Sequence, residues 1–295
     1  MNEISWLIPL LPLAGAAVIG LLLKNFNLTM NRLSKPVAFI SMSCIGAAGI
    51  LSAALTSENQ SNLDATEQLF NIGSINLQLG YRVDHSGSVL LTVVSISALI
   101  LMLLTHREMA GKKGYVWCFT CLGFFSSALL GLVMSPNLAE LFLFWILLGF
   151  CSQQLIIIWS YSTQEDKPGA KFSLLDRLGD LGLFIGTIDL LKLTGSLDFK
   201  AISSSLSTAI QTNKISNNGA ILLCLLLLLS PLIKSAQLPL HIWQAKAKSL
   251  TLTLPGIIHD IMLISAGLLL VIRVDPIIEA GAIALRGTSL IQSLA

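Results

Sequence analysis

The sequence predicts an all-α integral membrane protein, a helical bundle of about eight transmembrane helices with one discontinuous helix. Hydrophobic residues make up 54% of the 295-residue chain and charged residues only 12%, a balance outside the range of soluble globular proteins. Apolar runs of about 20 residues, the length that a helix needs to cross hydrocarbon, recur along nearly the whole chain. One run contains Pro231 and Pro239, and each proline interrupts the helical hydrogen-bond ladder.

The apolar runs follow one another with polar connections between them. They lie near residues 5–23, 36–55, 86–105, 115–134, 138–159, 178–193, 219–243 and 253–272. Between the second and third runs, the alternating residues of FNIGSINLQLGYRV predict a short hairpin at the membrane interface. Residues 203–218 are rich in Ser, Asn and Thr, which predicts a loop.

The distribution of Lys and Arg predicts the orientation of the bundle. Eleven of the 18 Lys and Arg residues lie in alternate connections, near 24–35, 107–113, 167–177 and 246–248, and six lie on the opposite side. Lys and Arg concentrate in the cytoplasmic connections of membrane proteins. These four connections are therefore predicted to be cytoplasmic, and both termini periplasmic or lumenal.

Charge and motifs exclude several classes of function. The net charge is only +2, and no basic tract is interleaved with aromatic residues, so we expect the lipid bilayer and no nucleic acid as a partner. All five cysteines lie in apolar runs, which is typical of buried thiols. The chain lacks the glycine-rich loops of nucleotide sites and the H-E-x-x-H of zinc enzymes. We therefore expect no cofactor and no metal on this chain.

Lys234 is the sharpest candidate for chemistry. A charged side chain at the bilayer centre costs at least about 2.5 kcal/mol and is seldom retained without a task or a partner. Lys234 lies in SPLIKSAQLPLHIW between the two prolines, where a broken helix can hold water. A desolvated lysine can load and release a proton near neutral pH. The alternative is a structural lysine that pairs with a buried carboxylate such as Asp180.

Three further residues are candidates for a proton path. Arg177 and Asp180 are three residues apart and therefore lie on one helix face. Either they form an ion pair that anchors the sixth run at the headgroups, or they take part in proton transfer. His259 lies in the eighth run and fits a proton relay, because histidine as a residue type changes charge near neutral pH. A core histidine bonded to a carbonyl is an equal alternative.

Several stretches, in order, resemble the antiporter-like membrane subunit of complex I. They are FLFWILLGFCSQQLIIIW at 142–159, DRLGDLGLFIG at 176–186, TGSLDF at 194–199, IKSAQLPLHIW at 233–243 and IIHDIMLISAGLLLVIR at 257–273. Within this family the chain resembles the F subunit of cyanobacterial and plastid NAD(P)H:quinone oxidoreductase, a relative of mitochondrial subunit 5 and of multi-subunit sodium/proton antiporters. The resemblance covers nearly all of this chain and about the N-terminal half of such a subunit.

The resemblance implies a domain division and a set of site residues. Helices 1–3 would occupy 1–110, a five-helix antiporter-like repeat 111–273, and a C-terminal tail 274–295. In that family a lysine in a broken helix works with a buried glutamate. The matching residues of the implied proton path are Lys234 for the lysine, Arg177 and Asp180 for the N-R-V-G-D stretch, and His259 for the histidine of A-L-I-H.

Two departures from the family pattern bear on this path. The family's F-W-E-L-V-G reads FWILLG here, so Ile146 stands where the key glutamate is expected. The family's L-P-D-A-M-E-G-P-T-P reads QAKAKSLTLT here, which removes acidic groups and adds Lys246 and Lys248. Loss of the glutamate is expected to impair the electrostatic switch of a pump.

The resemblance implies a membrane-arm subunit of an NAD(P)H- or ferredoxin-linked quinone oxidoreductase that takes part in proton translocation. NAD(P)H or ferredoxin, iron–sulfur clusters and quinone would bind to other subunits, and the partners would be other membrane-arm subunits. The implied location is a cyanobacterial thylakoid or plasma membrane, with a bacterial inner membrane as the alternative. Two alternatives stay open: a non-conducting structural or assembly module of the same complex, and a subunit of an inorganic-carbon uptake complex.

Overall fold

The fold is a helical bundle with one β-hairpin. A computed structural model describes residues 4–25, 34–57, 63–72, 75–112, 114–163, 170–212, 214–235 and 253–286. Within these ranges the helices are α1 Leu7–Asn25, α2 Ser34–Ser57, α3 His85–Met109, α4 Tyr115–Met134, α5 Leu138–Thr163, α6 Ala170–Thr194, α7 Phe199–Gln211, α8 Asn217–Lys234 and α9 Leu254–Arg286. The strands are β1 Leu63–Ile72 and β2 Ile75–Val83.

Helix α4 is the centre of the bundle. In its most apolar stretch 89% of the residues are buried, against 28% to 44% in the other five helices that are long and apolar enough to cross a membrane. It packs against α1, α3 and α5, and α9 also contacts it. Helices with apolar residues on all sides are either buried or face lipid. The exposed apolar residues of the outer helices, such as Phe39, Ile50 and Ile272, therefore fit a lipid environment.

The predicted runs each correspond to a helix. Six helices, α1 to α5 and α9, have the length and composition of membrane spans. Helix α8 is apolar but shorter, and α6 is long enough but carries six charged side chains. The bundle thus confirms the predicted all-α membrane fold.

The hairpin is also confirmed, and it is longer than predicted. β1 and β2 pair antiparallel from Leu63 opposite Val83 to Ile72 opposite Ile75, so the first strand begins before the alternating residues that predicted the hairpin. Gly80 is required at its position, because a Cβ there would lie 2.1 Å from the carbonyl oxygen of Ala65.

The predicted loop at 203–218 is wrong over most of its length. Helix α7 extends to Gln211 and buries an apolar stripe at Phe199, Ile202 and Leu206. The side chain of Asp198 caps its start by accepting hydrogen bonds from two backbone N–H groups. Serine and threonine cover the opposite face, so composition suggested a loop where the apolar spacing supports a helix.

The ends of α8 and α9 can be compared with the predicted helix break and the predicted C-terminal tail. Helix α8 ends at Lys234, and the predicted break between Ser235 and Pro239 falls almost entirely on residues 236–252, outside the described ones. Helix α9 continues past Arg273 to Arg286, so the first part of the expected tail at 274–295 is helical.

Polar contacts join several segments at one end of the bundle. The Arg82 guanidinium lies 2.9 Å from Asp64 and 3.4 Å from Asp198. The backbone N–H of Gly80 donates to Glu140 Oε1 at 2.8 Å. The hairpin, the start of α5 and the start of α7 are therefore at the same end, which agrees with the alternation of connections used to predict the orientation.

The predicted orientation can be tested with an impermeant maleimide on intact cells. A cysteine in place of the exposed Lys112, between α3 and α4, is expected to react only after the membrane is opened, because this connection is predicted to be cytoplasmic. A cysteine in place of the exposed Lys214 is the matched control and should react in intact cells. Labelling of the cysteine at 112 from outside would contradict the orientation.

Candidate functional site

The candidate site is a buried ion pair between α6 and α8. Lys234 is the last residue of α8, and its Nζ lies 2.9 Å from Asp180 Oδ1 in the middle of α6. The two side chains are 1% and 6% exposed. Lys234 therefore has a carboxylate partner although the glutamate expected at Ile146 is absent. Buried charges of this kind are costly unless they are paired and hydrogen-bonded.

Two neighbouring side chains complete the hydrogen bonding of Asp180. The hydroxyl of Ser230, one turn before Lys234 on α8, donates to Asp180 Oδ1 at 2.8 Å. The indole N–H of Trp145 on α5 points at both groups, 3.0 Å from Asp180 Oδ1 and 2.7 Å from Ser230 Oγ. The Asp180 carboxylate is thus held by donors from α5 and α8.

The Lys234 ammonium also contacts α5. Its Nζ lies 4.5 Å from the centre of the Trp145 ring, within range of a cation–π interaction, and 3.5 Å from the Trp145 carbonyl oxygen. Gly149, one turn further along α5, leaves room for the ammonium, because a Cβ there would lie 2.6 Å from Nζ. Lys234 is thus enclosed by packed protein on the α5 side.

Glycines on α6 set its distance from α8. A Cβ on Gly179 would meet Ile233 and Ser230 at 3.0 to 3.1 Å, and one on Gly182 would meet Leu229 at 3.0 Å. Gly186 continues the same face, where a Cβ would lie 3.2 Å from Leu227. Small residues let helices in a membrane approach closely. This close approach brings the Asp180 carboxylate within reach of Lys234.

The structure separates Arg177 from Asp180. Asp180 faces α8 and pairs with Lys234, whereas the exposed Arg177 donates from Nη2 to Gln153 Oε1 on α5 at 3.0 Å. Residues three apart on a helix differ in direction by about 60°, which is enough to place one inside and one outside. Arg177 and Asp180 therefore do not pair with each other, and Asp180 instead pairs with Lys234, 54 residues further along the chain.

Asp176 is a second buried carboxyl that the sequence analysis did not single out. Its side chain lies one turn before Asp180 on α6 and is 6% exposed, and Oδ2 accepts a long hydrogen bond of 3.5 Å from Gln153 Nε2. The signal available in the sequence was the spacing of four residues between the two aspartates in DRLGD, which places them on one helix face.

His259 lies in a separate cluster. Its ring is 1% exposed and packs 4.9 Å from the ring centre of Phe125 and 5.4 Å from that of Trp159. Nδ1 lies 3.3 Å from Asp260 Oδ1, and Nε2 is buried with no hydrogen-bond partner among the described residues. Trp159 is ten residues beyond Gly149 on α5, roughly 15 Å along the helix. The contacts of His259 are therefore distinct from those of the lysine.

Other candidates of the sequence analysis lie outside the described residues. These are Pro239, Lys246 and Lys248. Within the described ranges no group of three or more His, Cys, Asp and Glu side chains could hold a metal ion.

Comparison with known proteins decides the family. Residues 135–293 match the family described as NADH:quinone oxidoreductase/Mrp antiporter, transmembrane. This chain belongs to that family. It is a multi-pass integral membrane protein, and the site of Lys234 and Asp180 lies within the matched residues.

Curated relatives of cyanobacterial and plastid type match along most of the chain. NAD(P)H-quinone oxidoreductase subunit 5 of Paulinella chromatophora is 37% identical over 278 residues, which cover 93% of this chain and 42% of the relative. Chain 5 of the Synechocystis enzyme is 37% identical over 282 residues, 95% of this chain and 41% of the relative. The chain thus spans less than half the length of the curated relatives it matches.

Solved structures share the fold. Respiratory complex I from Thermus thermophilus contains a chain that superposes with a TM-score of 0.70 at 16% identity, covering 95% of this chain and 54% of that one. The Mrp complex from Dietzia sp. contains another, with a TM-score of 0.67 at 18% identity over 90% of this chain and 27% of that one. At these identities the similarity concerns the fold.

The packing of the site can be tested with Gly149→Ala. The added methyl group occupies the space of the Lys234 ammonium, and overpacking of this kind costs about 1–3 kcal/mol. We expect the free energy of unfolding in mixed micelles to fall by that amount.

Gly46→Ala on α2 is the matched control, because a Cβ there has no atom within 4 Å. It is expected to leave the free energy of unfolding unchanged or slightly higher, since alanine is the better helix former. Equal stability of the two variants would contradict the close contact between Gly149 and Lys234.

Proposed function

We propose that this chain is an antiporter-like membrane-arm subunit of an NAD(P)H- or ferredoxin-linked quinone oxidoreductase and takes part in its proton translocation. The observation that carries the proposal is the buried contact of 2.9 Å between Lys234 and Asp180, in a chain of this family. Each group is costly to leave charged and alone in the interior.

The geometry supports a simple electrostatic switch. When a proton reaches the Asp180 carboxylate, the ion pair is lost and an unpaired ammonium remains in the interior. That state is unfavourable until Lys234 gives up its proton, and removal of the proton from Asp180 then favours a recharged lysine. Asp180 thereby supplies the carboxylate that Ile146 does not.

The rest of the reaction would take place on other subunits. We expect NAD(P)H or ferredoxin, iron–sulfur clusters and quinone to bind there, because this chain is predicted to bind no cofactor. Other membrane-arm subunits are the proposed partners. The curated relatives include cyanobacterial and chloroplastic subunits, which supports a thylakoid or cyanobacterial plasma membrane location. The distribution of Lys and Arg is the reason to place both termini on the periplasmic or lumenal side.

A second candidate function is a non-conducting structural module of the same complex. The observation that favours it is the completeness of the ion pair: Lys234 is 1% exposed and packed against Trp145. In this case the pair would fix α5, α6 and α8 together and would keep its charges throughout turnover.

Lys234→Met distinguishes the two candidates. If the lysine must exchange a proton, the variant should lose proton flux per assembled complex in vesicles, because methionine keeps the length of the side chain and removes the charge. Unchanged flux per assembled complex would contradict translocation through Lys234 and support the structural module, whatever the yield of complex.

Ile146→Glu tests whether adding the carboxylate that the family pattern predicts at this position increases proton flux. Ile146 is half-buried on α5 next to Trp145, and opposite charges within about 4–6 Å influence each other's proton affinity. We expect higher proton flux than in the unmodified chain. Ile146→Gln is the matched control, because it adds a similar polar side chain without the charge, and an equal gain in both variants would exclude a carboxylate effect.

A further inference from the structure

Asp176 is a buried acid close to the ion pair, and it forms no ion pair with any cation that the structure describes. It precedes Asp180 by one turn, about 6 Å along α6, and lies within electrostatic range of Asp180, Lys234 and Arg177. Lys234 is paired with Asp180, and the exposed Arg177 donates to Gln153. Among the described residues, no ion pair joins Asp176 to a cation.

The charges around Asp176 determine how unfavourable its ionised form is. Lys234 and Asp180 neutralise each other, so an ionised Asp176 would add a net negative charge to the protein interior beside another carboxylate. Such a charge is unfavourable in a low dielectric. A proton on the Asp176 carboxyl removes it and leaves Oδ2 able to accept the hydrogen bond from Gln153.

The position of Asp176 also suggests a direction. Along α6 it lies between Asp180 and the connection at 164–169, on the Lys- and Arg-rich side predicted to be cytoplasmic. Asp176 therefore lies on the side of the ion pair from which a cytoplasmic proton would arrive.

We infer that Asp176 is the proton-carrying carboxyl between the cytoplasmic side and the Asp180–Lys234 pair, an inference that rests on the proposed function. In the proposed proton transfer, the O–H bond of Asp176 breaks and the proton bonds to the Asp180 carboxylate. Asp180 is then neutral, so its ion pair with Lys234 is lost. Asp176 is left as a carboxylate and takes its next proton from the aqueous side. Proton and charge balance, and no oxidant or reductant is needed.

Asp176→Asn tests the inference in vesicles that contain the assembled complex. We expect at least a tenfold loss of proton flux with a normal yield of complex, and flux close to the unmodified level in Asp176→Glu. Asp189→Asn, on the same helix and half-buried, is the matched control and should conduct normally. If Asp176→Asn conducts normally while Lys234→Met does not, the inference is overturned and the proposed function stands. If both conduct normally, both are overturned.

Infrared spectroscopy of the full chain tests whether Asp176 is protonated, as the inference requires. The spectrum of the unmodified chain minus that of Asp176→Asn should contain the carbonyl band of a protonated carboxyl, which shifts when the sample is transferred to deuterated water. The same band should remain in Asp189→Asn. If Asp176→Asn does not assemble, the spectrum of Asp176→Glu is measured in its place. The carbonyl band of the protonated carboxyl should then have a different frequency from that of the unmodified chain. Absence of the band from the difference spectrum would overturn the inference.

Discussion

The structure depends on a charge pair that has been taken out of water. Lys234 and Asp180 are 1% and 6% exposed and 2.9 Å apart, and the desolvation of each ion costs several kcal/mol. Mutual attraction offsets this only if the remaining hydrogen-bonding positions are also satisfied. Ser230 and Trp145 donate to the carboxylate, so three helices are constrained by the same two charges.

The packing of α6 on α8 follows from this constraint. A pair at hydrogen-bonding distance requires the two helix backbones to approach closely, and Gly179, Gly182 and Gly186 present backbone instead of side chains to α8. Gly149 performs the same task on α5, beside the ammonium. The short distance between the two charged side chains therefore requires glycines on the neighbouring helices. At the end of the bundle where the β-hairpin lies, polar contacts of Gly80 and Arg82 hold the starts of α5 and α7.

Local sequence predicted most of the fold but only half of the site. Apolar runs predict the membrane helices because a span must be long and hydrophobic. Helix α7 was not predicted, because its many Ser and Thr residues are typical of a loop although Phe199, Ile202 and Leu206 form an apolar stripe. Lys234 could be identified from the cost of a charge in hydrocarbon. Asp180 could be named only as one possible partner, because spacing along α6 joins it to Arg177, and its contact with Lys234 arises from the packing of segments 54 residues apart.

A double-mutant cycle on Lys234 and Asp180 tests the central claim most directly. The free energy of unfolding in mixed micelles would be measured for the unmodified chain, Lys234→Met, Asp180→Asn and the double variant. Removal of one partner of a buried pair costs about 3–5 kcal/mol because the other charge is left alone. We therefore predict that the double variant loses much less than the sum of the single losses, with a coupling above the ~0.6 kcal/mol average of interhelical hydrogen bonds in membranes. Losses that simply add would contradict the account.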